Sequence, residues 1–254
     1  MDRSLHLGRT PPSLAALTLI LLTGMNACTT TPAYDARAAN ETYQAAIANP
    51  VRTDQDRRMD AARHPAEFLP FTQVKPGMNV LDVSTGGGYT SQLLALVVGP
   101  RGILWAQAQT PGATVTKRLS DNPQANFRLV ARSFENPVPE EAPPLDLITI
   151  VLNYHHIAYL PVDRARMNAR LFAALKPGGR LVVIDHSAKS GTGIADAKTL
   201  HRIDEATVLA EFRQAGFVLD TTSDFLRNPA DSREVSSGDG RIPTDKFALR
   251  FAKP

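Results

Sequence analysis

The stretch VLDVSTGGGYTSQLLALVVG, residues 80–99, constrains the chain more than any other. It runs from a short strand segment through a glycine-rich turn into a helical segment from Tyr89 to Val98. Glycine has no Cβ, so such a turn folds tightly and brings backbone close to whatever lies over it. A strand, a glycine turn and a helix in that order open a βαβ unit, and a βαβ unit implies a parallel sheet. The ligands of such sheets bind outside the carboxyl ends of the strands, near the point where strand order reverses.

The rest of the chain repeats this alternation. Strands are expected at MNVLDV, GILWAQA, FRLVARS, LDLITIVL and RLVVIDH, and two more at FVLDTTSDF and KFALRF. Helices are expected at ANETYQAAIANP, across TDQDRRMDAARHPAEFLPF, from Tyr89 to Val98, around Val115–Ser120, from Val162 to Leu175 and from Ile203 to Ala215. Most strands are continuous apolar runs, as a sheet covered on both faces requires. The pattern is a doubly wound α/β domain. The polar loop RNPADSREVSSGDGRIPTD between the last two strands is long enough to be functional or mobile.

The N-terminus has a different character. Arg3 and Arg9 precede an apolar run from Leu14 to Leu22, which is followed by small residues. This is a secretory signal layout, and the run is too short for a permanent membrane span. Cys28, the one cysteine of the chain, follows directly in MNAC and resembles the acylated cysteine of a bacterial lipobox. Residues 1–27 are therefore expected to be a signal peptide, 28–50 a lipidated tether and 51–254 the folded domain. The expected location is the periplasm, anchored by lipid to the outer membrane because no aspartate follows Cys28. A plain secreted protein cut near Ala27 is the alternative. A net charge of +3, with no basic run, gives no sign of nucleic-acid binding.

Two signatures carry a resemblance. VLDVSTGGG places Asp82 before Ser84, Gly86 and Gly88, and LKPGGRLVVIDH places Lys176, Pro177, Gly178 and Gly179 before the fifth strand. Together they resemble class I S-adenosylmethionine-dependent methyltransferases over roughly residues 65–254. NYHH, DHSAKSGTG, LHRIDE and TDKFALRFAKP resemble one bacterial branch of predicted methyltransferases. The resemblance implies a Rossmann-like, seven-stranded sheet with a reversed last strand, and S-adenosylmethionine as cofactor. It implies Asp82, Ser84, Gly86, Gly88 and Asn153 at the cofactor, with Asp82 near the amino group of its methionine end. Ser84 replaces the first glycine, and a negative φ there would accommodate it. Gln107 and Gln109 stand at the end of strand two in place of the usual ribose-binding acid. Ser133 stands after strand three, where an acid often contacts the adenine.

A polar cluster follows strands four and five. His155 and His156 follow the fourth, Asp185 and His186 end the fifth, and His201 and Glu205 open the next helix. Neighbouring strands deliver these groups to one edge of the sheet, where the acceptor meets the methyl group. His156 or His186 is expected to face the acceptor as a general base, with His155 beside them, Asp185 orienting the hydrogen bonds, and His201 and Glu205 behind. Two other readings stay open: a divalent metal site, and a buried network in which Asp185, His201 and Arg202 pin the helix to the sheet. Arg57, Arg58, Arg63 and His64 are candidates for a lid. The expected function is methyl transfer to a small-molecule acceptor. The alternative is a non-catalytic ligand-binding lipoprotein on the same scaffold, since fold alone does not fix function. An exported chain would meet a cytoplasmic cofactor only through cofactor export, a start at Met25, or a pocket for another ligand.

Overall fold

Seven strands in the order β3-β2-β1-β4-β5-β7-β6 form the sheet that organises the chain. They are β1 (Asn79–Val83), β2 (Ile103–Ala108), β3 (Phe127–Ala131), β4 (Leu145–Val151), β5 (Leu175–His186), β6 (Val218–Ser223) and β7 (Lys246–Ala252). β1 pairs in parallel with β2 and β4, and the same sense continues to β3 and β5. β7 runs antiparallel between β5 and β6, so the last strand is reversed as expected. Strand order turns back between β1 and β4, which puts the ligand crevice over their carboxyl ends. The computed structural model describes residues 1–2, 36–239 and 243–254. The expected signal segment beyond residue 2, and Cys28, lie outside the described residues.

Side chains alternate across the sheet and feed two apolar layers. Leu81, Val83, Ile148 and Val183 face one layer, with Met167, Leu171 and Phe212. These last three come from helices α7 (Arg164–Ala174) and α8 (Glu205–Gln214). Val80, Leu104, Val182 and Ile184 face the other layer, with Tyr43, Leu69, Leu93 and Val97. Those come from α1 (Ala36–Ala48), α3 (Pro65–Thr72) and α4 (Tyr89–Val98). Fully burying a side chain such as Leu81 or Leu93 contributes about 1.5–3 kcal/mol. This packing on both faces accounts for the apolar runs in the strands.

One expectation needs correction, and two gain detail. The segment 28–50 is not all tether: α1 buries Tyr43 and Ala46, and the Tyr43 hydroxyl donates to the Val74 carbonyl at 2.9 Å. Helix across 53–71 is broken. α2 (Asp54–Arg63) stops at His64, which takes a left-handed φ of 48°, and α3 begins at Pro65. Proline disfavours right-handed helix in the residue before it, so His64 is the natural break. The loop after β6 is tied down over its described residues. Arg202, fully buried, makes two bonds to Asp231 at 2.7 and 3.1 Å, and Asp231 also accepts the Asp245 amide.

Candidate active site

The glycine turn leaves β1 and enters α4 at the centre of the crevice. Gly86 has φ of +55°, and a Cβ built there meets nothing within 4 Å, so it would project into open cleft. Gly88 differs from expectation: its Cβ direction is closed by Arg118 Nε at 3.0 Å, and it faces protein. Gly87 takes its place in the lining, beside Ser84, Thr85 and Gly86. Ser84 is left-handed, with φ of +62°, not negative. A non-glycine residue in that region costs about 1–2 kcal/mol. The bond from the Ser84 amide to Gln107 Oε1, at 2.9 Å, helps hold it.

That bond also changes the reading of Gln107. Its Nε2 donates to the Arg132 carbonyl at 2.6 Å, and the side chain is fully buried. Both ends of the amide are committed to the fold, and neither is free for a ribose. Gln109 is exposed and lines the cleft together with Thr110 and Thr114. Ser133 is exposed and lies apart from the lining of the cleft.

Asp82 lines the floor. It is 2% exposed and accepts hydroxyl hydrogen bonds from Ser91 and from Thr149, the latter at 2.7 Å. Burial pushes its carboxyl up to about 6, against the pull of the two hydroxyls and of Arg63. Asn153 closes the far wall, and its buried Oδ1 has no hydrogen-bond partner among the described residues. An unpaired buried oxygen costs about 1–3 kcal/mol. Its position in the cleft fits the need for a donor on the ligand.

Helix α2 covers the turn. Asp56 closes its own capping box with Thr53 and also makes two bonds of 2.7 Å to Arg118. Burial works to raise the Asp56 carboxyl, but the Arg118 guanidinium and the Thr53 amide hold it below the usual carboxylate range. Asp60 accepts from the Tyr89 hydroxyl at 2.7 Å and pairs with Arg52. Of the four lid candidates, Arg63 lines the cleft. Arg57 and Arg58 bond locally to Asn49, Arg52 and Gln55, and His64 sits at the helix break. Gln55, Asp56, Met59, Tyr89 and Arg118 were not among the expected site residues. The capping box at Thr53 was a local signal for one of them.

The histidines do gather over β4 and β5. The His155 ring lies 5.9 Å from that of His186 and 5.6 Å from that of His201, centroid to centroid. Asp185, fully buried, accepts His155 Nδ1 at 2.6 Å, the His155 amide at 2.7 Å and the His186 amide at 2.8 Å. This fixes the His155 tautomer with its proton on Nδ1 and leaves the Nε2 lone pair facing away from the carboxylate. His155 heads α6 (Tyr154–Tyr159), a short helix directly after β4.

The two expected bases are less suited. His186 Nδ1 is 2.7 Å from the Thr244 hydroxyl, and burial lowers its pKa to about 3. A group that weakly basic is a poor proton acceptor near neutral pH. His156 is held by the Tyr159 hydroxyl at 2.6 Å and is also lowered, by burial and by the neighbouring His155 and His201. His155, His156 and His186 alike stand outside the lining of the cleft at the glycine turn, which ends at Asn153, two residues before His155. Glu205 pairs with Arg227 at 2.7 Å. Arg202 pins its region through Asp231, which also accepts the Asp245 amide, while Asp185 separately ties the head of α6 to β5. Among the described residues, no group of three or more His, Cys, Asp or Glu side chains is placed to hold a metal ion.

Comparison with known proteins bears on this arrangement. The family model described as protein-L-isoaspartate(D-aspartate) O-methyltransferase matches residues 33–218. The ubiquinone/menaquinone biosynthesis C-methyltransferase UbiE of Ectopseudomonas mendocina is 32% identical over 123 residues, covering 47% of this chain and 46% of that protein. Its namesake in Burkholderia multivorans is 27% identical over 135 residues, covering 51% and 53%. The chain thus spans about half the length of the curated relatives it matches. A solved methyltransferase from Aquifex aeolicus superposes with a TM-score of 0.57 at 19% identity, covering 80% of this chain and 100% of that one, and shares the fold.

Proposed function

Since the chain belongs to the protein-L-isoaspartate(D-aspartate) O-methyltransferase family, and so to the class I S-adenosylmethionine-dependent methyltransferases, we propose that it methylates an oxygen or nitrogen of a small-molecule acceptor, with His155 as the base. The cofactor is S-adenosylmethionine. When bound, it supplies an electrophilic methyl group on a positively charged sulfur. The backbone at Gly86 and Gly87, the Asp82 carboxylate and Asn153 would hold its methionine end, and Gln109 with Thr110 would face its ribose. Helix α2, latched by Asp56 to Arg118, excludes water from above.

The observation that carries the choice of base is the His155–Asp185 pair at the carboxyl edge of β4 and β5. The carboxylate fixes the ring, so the Nε2 lone pair is presented without further ordering cost. A proton taken from an acceptor hydroxyl or amine would reside on His155 Nε2, while Nδ1 keeps its bond to Asp185. His156, His186 and His201 shape the surroundings of that ring.

Release of S-adenosylhomocysteine from S-adenosylmethionine, measured against a panel of phenols, alcohols and amines, tests this. Turnover is expected with at least one class of acceptor and is expected to fall in His155→Ala. Cofactor binding without turnover on any class would favour a non-catalytic ligand-binding role.

A further inference from the structure

One side chain ties together three parts of the cleft. Arg118 stands on α5 (Ala113–Asp121), the helix after β2, and is 8% exposed. Its Nε donates to the Gly87 carbonyl at 3.2 Å. Its two terminal nitrogens donate to the two carboxylate oxygens of Asp56 on α2, both at 2.7 Å. Every nitrogen of the guanidinium is thus spent on protein. A guanidinium offers its donors in a rigid planar fork, so the glycine turn and α2 are held in a fixed relation to each other.

Gly88 fits this arrangement. A Cβ there would stand 3.0 Å from Arg118 Nε and 3.2 Å from its Cδ, so any larger residue would push the guanidinium away. Gly88 seats Arg118, whereas Gly86 opens onto the cleft. Helix α2 depends on the same contact. Asp56 is its one buried residue, and Met59 packs against the core only in part. The flanking helices are anchored differently: α1 buries Tyr43 and Ala46, and α3 buries Phe68 and Leu69. Helices draw most of their stability from packing an apolar face, so α2 is the one of the three that can loosen without disturbing the core.

We propose that Arg118 is a positioning residue for the cofactor. It holds the Gly87 carbonyl, and with it the turn, and it fastens α2 across the cleft. It acts through the protein groups it binds and not through its charge on the ligand. This rests on the reading of the cleft as the cofactor site. Gln55, Asp56, Met59 and Arg63 of α2 line the same cleft as Ser84–Gly87, so release of Asp56 loosens one wall of that cleft while loss of the Gly87 bond loosens the other. Without Arg118 the cofactor therefore leaves faster.

Two measurements on the full chain test this. The first is amide hydrogen exchange without ligand. In Arg118→Met and Arg118→Lys the α2 amides are expected to exchange about tenfold or more faster, the worth of a charged hydrogen bond, while α3 and α4 keep wild-type protection. The second is stopped-flow binding of S-adenosylhomocysteine. Both variants are expected to bind it about tenfold or more weaker, chiefly through faster dissociation. Lysine keeps the charge but cannot serve Asp56 and Gly87 together. Wild-type affinity in Arg118→Lys, beside a loss in Arg118→Met, would show a charge acting directly on the ligand and overturn the proposal. Asp56→Asn keeps the bond to Gly87, so it is expected to loosen α2 with a smaller loss of affinity.

Removing one partner of a buried ion pair destabilises a fold, and melting curves report this for each variant. Asp56→Leu combined with Arg118→Met leaves no unpaired charge and still lacks the Gly87 bond, so it is expected to melt cooperatively and to bind S-adenosylhomocysteine more weakly than wild type. A folded double variant that binds as tightly as wild type overturns the proposal, as does unchanged α2 exchange in Arg118→Met. Wild-type protein that does not bind S-adenosylhomocysteine contradicts the reading of the cleft instead, and the exchange measurement, which needs no ligand, then decides whether Arg118 fastens α2.

Discussion

His155 Nδ1 lies 2.6 Å from Asp185 Oδ1, and the same carboxylate accepts the His155 amide at 2.7 Å. Ring and backbone are therefore fixed by one buried group. His155→Ala is expected to lower turnover by about 10²–10⁴-fold, the usual range for loss of a general base, while S-adenosylhomocysteine affinity stays unchanged. Steady-state kinetics beside calorimetry checks this. A loss of affinity equal to the loss of turnover would show that His155 serves the fold and not the chemistry.

Asp82 is expected to make cofactor binding depend on pH. Burial lifts its carboxyl from 3.8 to about 6, so the folded chain keeps a proton that the unfolded chain has released. Its contribution to stability is therefore greatest at low pH and is lost as pH rises through about 6. Pairing with the ammonium of the cofactor has the opposite sign, because it needs the ionised carboxylate. Affinity for S-adenosylhomocysteine is expected to rise between pH 5 and pH 7.5, and to be flat over that range in Asp82→Asn. Equal wild-type affinity at the two pH values would remove Asp82 from the binding site.

Gln107 is expected to matter for the turn and not for the ribose. Gln107→Leu leaves the Ser84 amide and the Arg132 carbonyl without partners, which costs about 1–3 kcal/mol for each group left unpaired in the interior. Denaturant unfolding measures this directly. A variant as stable as wild type, with cofactor affinity specifically reduced, would return Gln107 to the role of ligand contact.

Much of this architecture was legible in the sequence. β1, α4 and β5 could be placed because strands covered on both faces read as apolar runs, and because glycines punctuate them. The helix from Tyr89 to Val98 lies where its pattern puts it. Helix α6 was missed because six residues are too few to show a helical period. The anchoring of α1 was hidden because only Tyr43 and Ala46 of its residues are buried. At the site, the glycine turn, Asp82 and the convergence of the histidines followed from topology. The inward amide of Gln107, the pairing of Asp56 with Arg118 across 62 positions, and the choice of His155 over its neighbours did not. Each depends on where a side chain points in three dimensions, which neither spacing nor composition encodes.

Cys28 lies outside the described residues, and its acylation is a proposal from the sequence. In a Gram-negative host the mature N-terminus is expected to carry lipid on Cys28, and Cys28→Ala is expected to move the protein from the membrane fraction to the soluble one. Mass spectrometry of the N-terminus checks this. An unmodified, soluble wild-type protein would contradict it.

The most direct test of the cofactor site is calorimetry of S-adenosylmethionine and S-adenosylhomocysteine against the wild-type chain and Gly86→Val. Gly86 has φ of +55° with open cleft where a Cβ would stand, so valine both strains the turn and fills the ligand's place. Binding of both compounds by wild type, and its loss in a Gly86→Val chain that still melts cooperatively, is the expected result. A folded Gly86→Val chain that binds as tightly as wild type would place the cofactor elsewhere and contradict the site.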